Sequence, residues 1–140
     1  MVEVVSKELG KQDLELRIDK NTFEPRYRVV GCELWSDDPG FHTAVDMADV
    51  PGLCRSGLID ALAELRLSGI IGRDGTINSD FAANTPRIRE EYRSFTYLIH
   101  ETQPRIAMTQ HDIRALQLAK AGVQAAIRIL MKQIDVSTLK

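Results

Sequence analysis

The chain has 140 residues, 44% hydrophobic and 27% charged, which is enough for one domain with a real core. Its net charge of −2 makes no electrostatic case for nucleic acid or for an acidic membrane surface. No apolar run approaches the roughly 20 residues of a membrane span, and Met1 to Glu8 lacks the charged-then-apolar order of a signal peptide, so the expected compartment is the cytoplasm.

In chain order, residues 1–12 read as a polar, disordered N-terminus, residues 13–134 as the folded unit and residues 135–140 as a tail. Leu14-Glu15-Leu16-Arg17-Ile18 alternates apolar and charged, the period of a half-buried strand. Asp19-Lys20-Asn21 signals a turn, and Arg26 to Val30 reads as the partner strand of a hairpin with Pro25 near its edge. Between Arg28 and Arg55 the chain carries Glu33, Asp37, Asp38, Asp46 and Asp49 but no Lys or Arg. A helix is expected from about Gly40 through Ala48, as a solvated acidic surface helix or as a docking face for a basic partner.

Pro51-Gly52-Leu53-Cys54-Arg55-Ser56-Gly57 opens an amphipathic helix. Ser56 is the expected N-cap, Leu58, Ile59, Leu62 and Leu65 the buried stripe, Asp60 and Glu64 the opposite face, and Gly69 the left-handed residue that ends it. Ile70-Ile71 and Ile77 flank a tight Asp74-Gly75 turn, Asn78 to Thr85 reads as a loop, and Pro86 to Arg93 as a solvated surface segment. Phe95 to His100 and Arg105 to Met108 are expected strands of a second hairpin. Thr109-x-x-Asp112 has the form of a capping box opening a helix to about Gln133. Its polar stripe runs through Arg114, Gln117, Lys120, Gln124, Arg128 and Lys132, and the rest is apolar enough to require burial by the domain or by a second copy. The fold class that follows is α+β: a small mixed or antiparallel sheet of short hairpins packed on two main helices.

The chemistry-bearing residues are few. A glycine-containing loop at a helix N-terminus offers free N–H groups to an anion, and Arg55 would add a guanidinium fork, so Gly52, Cys54, Arg55, Ser56 and Gly57 form the one candidate anion or nucleotide loop; the alternative is a tight connection with a capping serine. It is neither a Walker A motif nor G-x-G-x-x-G. Cys54 could be a thiolate nucleophile at the helix start, although no His and acid can be placed beside it. With only Cys32 and Cys54 in the chain, no zinc or iron–sulfur ligand set can be assembled, and His42, His100 and His111 are scattered without metal-ligand spacing. No catalytic residue and no metal site is assigned.

Three stretches, Asp19 to Gly31, Leu53 to Gly69 and Thr109 to Met131, resemble in order and spacing the C-terminal ASKHA-type domain of the reductive activators of corrinoid proteins. The resemblance implies an actin-like ATPase fold in proteins that use ATP to drive an electron onto the cobalt of a B12 protein, with ATP and a [2Fe–2S] cluster in full-length relatives and none in this chain. It implies a corrinoid protein as partner. The family's phosphate-contacting loop would lie upstream and its adenosine-side strand downstream, so the chain resembles the middle of the ATPase domain and is not expected to act alone. Where the family pattern is closer to Gly-Ile-Cys-Gly-Ser-Gly, this chain has Arg55 in place of a glycine, which restricts positive-φ backbone there. A stand-alone interaction or dimerisation module, pairing as a homodimer through the helix of residues 109–133, is the alternative.

Overall fold

The computed structural model describes residues 14–47, 50, 52–53, 55–102 and 105–134. Strands β1 (Leu14–Ile18) and β2 (Pro25–Val29) form an antiparallel hairpin in which Leu14 faces Val29 and Ile18 faces Pro25. Leu14, Leu16 and Ile18 are buried while Arg17 is exposed, so the alternating pattern gives one covered face. The turn is built by the Asp19 carboxylate, which accepts the N–H groups of Asn21 and Thr22 at 2.8 Å each and is thereby held below the usual carboxylate range. It delivers Phe23 at φ 60, a left-handed conformation rare outside glycine.

The expected acidic helix shortens to one turn, α1 (Phe41–Ala44), entered through Gly40 at φ 87. Phe41, Val45 and Met47 are buried, so this segment serves as a lid on the core and not as a solvated helix. Two of its acids are spent inside the domain: Asp37 accepts from Arg26 at 2.6 Å, and Asp38 accepts the Trp35 N–H at 2.8 Å. Arg26 and Arg28 lie over the Trp35 ring at 4.8 and 4.9 Å.

Helix α2 (Arg55–Leu67) packs on β1. Its covered stripe is Leu58, Ala61, Leu62 and Leu65, spaced i, i+3, i+4 and i+7; Ile59, expected in that stripe, is exposed, because it follows Leu58 by one residue and so lies about 100° round the helix from it. Glu64 does not point away: its carboxylate accepts the Ile18 N–H at 3.0 Å and lies 3.6 Å from Arg17, tying the helix to the free edge of β1. Gly69 ends the helix at φ 84 as expected. Ile71 then bridges Ile77 across the Asp74-Gly75 turn. The segment expected as a loop contains a 3-10 helix, Ser79–Ala83, capped by the Asn78 side chain.

The second sheet has three strands, not two. β3 (Ile88–Glu91), inside the segment expected to be mere surface, pairs with β4 (Ser94–His100), and β4 pairs with β5 (Ile106–Thr109), all antiparallel. Only Ile88 of β3 is buried, so the strand carries almost no apolar alternation to read from sequence. The β3–β4 turn places Tyr92 and Arg93 at φ 50 and 63 without the Asn or Gly that usually announces such a turn. Central β4 buries Thr96, Tyr97, Leu98 and Ile99 in succession, as a strand covered on both faces does. Both sheets, α1 and α2 contribute to one continuous core.

Helix α3 (Gln110–Gln133) leaves β5 directly through the expected capping box: Thr109 Oγ1 accepts the Asp112 N–H at 3.1 Å and Asp112 accepts the Thr109 N–H at 2.9 Å. Its burial departs from expectation. Ile113 is fully buried against β4 and β5, but from Leu118 to Leu130 every residue is exposed. The first two turns are held by polar side chains. Gln110 accepts the Ile77 N–H at 2.8 Å and donates to the Gly75 carbonyl at 2.7 Å, while Arg114 and Gln117 donate to the Asp74 carbonyl at 2.8 and 3.1 Å. The polar residues of this part of the helix thus grip the domain, and the apolar ones beyond it face water.

Candidate functional site

The predicted loop is only partly described. Gly52 has φ 143, a region that favours glycine, and α2 begins at Arg55, which places Ser56 in the first turn and not at the N-cap. Ser56 is exposed and Gly57 buried. Cys54, and the side chain of Arg55, lie outside the described residues, so the thiol and the guanidinium of the candidate anion or nucleotide loop have no geometry to assess. Cys32 is half-buried and free.

Sequence reasoning missed a cleft of about 770 Å3 between the two sheets, lined by residues that include Arg17, Glu24, Arg26, Tyr27, His42, Arg87, His100 and Thr102. Two histidines that are 58 positions apart in the numbering, His42 and His100, share it. His100, at the end of β4, is held from both ring nitrogens: Tyr27 Oη lies 2.7 Å from Nδ1 and Thr102 Oγ1 2.9 Å from Nε2. Partial burial lowers the His100 pKa from its usual value, and His42 and Arg87 lower it further by like charge. Burial raises the Tyr27 phenol, partly offset by Arg87. The imidazole is therefore neutral near pH 7, and the phenol is the natural donor to Nδ1.

Arg87 crosses the junction beside it. Its guanidinium donates to Glu24 at 3.0 Å through Nε and 2.9 Å through Nη2, and Glu101 lies 3.9 Å away. Tyr97, fully buried, donates its hydroxyl to the Phe23 carbonyl at 2.7 Å, again from one sheet to the other. Among the described residues the cleft is lined by three arginines and four carboxylates, and the contacts at and beside it are structural ones that join the two sheets through His100, Tyr27, Tyr97 and Arg87. A sequence signal for it did exist in the aromatic and polar residues of both predicted strand ends, but nothing in their spacing paired residue 27 with residue 100. Among the described residues no group of His, Cys, Asp or Glu could hold a metal ion, and no helix is long and apolar enough to cross a membrane.

Small antiparallel sheets with helices make an α+β unit, a class consistent with a fragment of an ASKHA domain. A family model for the C-terminal domain of RACo, the ASKHA domain, matches residues 14–140, and the chain belongs to that family. It is similar to the corrinoid activation enzyme RamQ of Eubacterium limosum, with 26% identity over 117 residues, covering 76% of this chain and 19% of RamQ. The chain thus spans about a fifth of the length of this curated relative. No solved structure matches it.

Proposed function

We propose that this chain is a segment of an ATP-dependent reductive activator of corrinoid methyl-transfer proteins, that it engages a corrinoid protein, and that it turns over no ATP alone. The observation that carries this reading is the family match over residues 14–140 together with a fold of the corresponding class. The Gly52 to Gly57 loop, with Cys54, Arg55 and Ser56, is its candidate contact for an anion or a nucleotide phosphate, through N–H groups at the start of α2. ATP and a [2Fe–2S] cluster belong, on this reading, to the larger relatives. The test is competition. Added in excess to RamQ, ATP, a reductant and a cobalt(II) corrinoid protein, the chain should slow formation of cobalt(I), read by absorbance. Undiminished cobalt(I) formation would oppose a corrinoid role, and steady ATP hydrolysis by the purified chain would oppose inactivity alone.

A second reading is favoured by the exposed apolar part of α3: a stand-alone interaction module, pairing as a homodimer, without ATP chemistry. Ile127, Leu130 and Ile134 are 50%, 58% and 66% exposed, apolar surface that association with another chain would remove from water.

A further inference from the structure

We infer that a second copy of this chain covers α3, in an antiparallel two-helix coiled coil with Val123 facing the partner's Ile127, Lys120 facing its Leu130 and Leu116 facing its Ile134. The inference rests on the interaction-module reading and goes beyond it in naming the face, the orientation and the register.

The spacing carries the face. Leu116, Lys120, Val123, Ile127, Leu130 and Ile134 fall at alternating intervals of four and three, the a and d positions of a heptad. Four of these six are large apolar residues exposed in the single chain: Val123, Ile127, Leu130 and Ile134. The positions flanking this seam are uncharged, with Gln117, Ala119, Gln124, Ala126 and Gln133 among them. The alanines allow close approach. Gly122 falls off the seam. Leu118 and Ile129 also lie outside it.

Charge decides the orientation. From Ile113 to Ile134 the helix carries four cations, Arg114, Lys120, Arg128 and Lys132, and no carboxylate. In a chain of net charge −2, this leaves −6 for the rest. A parallel pair would set Lys120 against the partner's Lys120 at a core position and bring the two acidic bodies together. An antiparallel pair sets Lys120 on Leu130, where its stem packs and its ammonium reaches water. It also carries Arg128 and Lys132 to the acidic body of the other copy, a complementary arrangement that fixes orientation. The acidic stretch around Asp37 and Asp38 is not required to leave its internal pairing with Arg26.

The full chain, with Cys32→Ser and Cys54→Ser as the background, is examined by sedimentation equilibrium and cysteine cross-linking. The expected species has twice the 15.7 kDa chain mass at high concentration. Ile127→Glu and Leu130→Glu should each weaken the pair by about tenfold or more, and Leu118→Glu, off the seam, should not; circular dichroism checks that each variant folds. A copy carrying Lys120→Cys should cross-link to one carrying Leu130→Cys. Cross-links only between identical positions would overturn the antiparallel register while sparing the homodimer. A single 15.7 kDa species up to millimolar concentration would overturn both this inference and the interaction-module reading, and leave the corrinoid reading standing.

Discussion

Tyr97→Phe removes one oxygen from the junction of the two sheets and nothing else. Tyr97 is fully buried and its hydroxyl donates to the Phe23 carbonyl at 2.7 Å. That carbonyl belongs to a residue at φ 60, held on its other side by the Phe23 N–H to the Asp19 carbonyl at 2.8 Å. The variant forfeits a net contribution of about 1 kcal/mol for the bond and leaves a partly buried acceptor short of its donor, for a total of about 1.5–2 kcal/mol. For a chain of this length roughly 3–4 °C accompanies each kcal/mol, so Tm should fall by about 5–7 °C. Trp35, the chain's single tryptophan, reports the transition by fluorescence from the first sheet, and circular dichroism reports it from the whole molecule. The two probes should shift together. Tyr92→Phe, at a fully exposed turn residue, is the control and should leave Tm unchanged. A Tyr97→Phe variant as stable as the parent would refute the claim that this hydrogen bond joins the sheets.

Thr109→Ala should destabilise the chain by about 1 kcal/mol in urea titration, because it removes one half of the box that starts α3; an unchanged midpoint would show that the polar grip of Gln110, Arg114 and Gln117 suffices. Glu64→Ala strands the Ile18 N–H at the edge of β1 and should cost about 1–3 kcal/mol. Glu64→Gln, which keeps an acceptor, should cost less, and equal losses for the two variants would mean that the charge and not the hydrogen bond matters. His100 has a lowered folded pKa, so the unfolded chain takes up a proton first as pH falls. Its stability contribution is complete above about pH 6.5 and is lost as pH drops through the lower folded value. Thermal melts between pH 7.5 and 5 should show this slope and His100→Gln should flatten it, whereas Asp19 and Asp74, whose pKa values are lowered from 3.8, act only in more acid solution. An equal slope in wild type and His100→Gln would assign it elsewhere.

Local signals specified most of the fold. The β1 alternation, the Gly69 stop, the Asp74-Gly75 turn and the Thr109–Asp112 cap are each properties of a few adjacent residues, and each appears where its pattern stands. β3 escaped because a strand with one buried residue has no period to read, and its turn uses Tyr92 and Arg93 where glycine or asparagine is the usual sign. The cleft escaped for a different reason. Tyr27, Arg87 and His100 come together through sheet packing, which residue spacing does not encode. On α3 the apolar pattern implies burial, and there the expectation departs from the structure: residues 118–130 are exposed, since Arg114 and Gln117 turn the polar face to the domain and no described element covers the rest. For the Gly52 to Gly57 loop, sequence remains the fuller source, with its departure at Arg55 plain to see and its thiol outside the described residues.

The most direct measurement is a calorimetric titration of the purified chain into cobalt(II) corrinoid proteins, one from Eubacterium limosum and one from the organism that encodes this chain. The proposed function predicts saturable binding to at least the corrinoid protein of the chain's own organism, with no ATP hydrolysed by the chain during the titration. No heat of binding to either protein, from a chain shown by circular dichroism to be folded, would contradict a role in corrinoid activation.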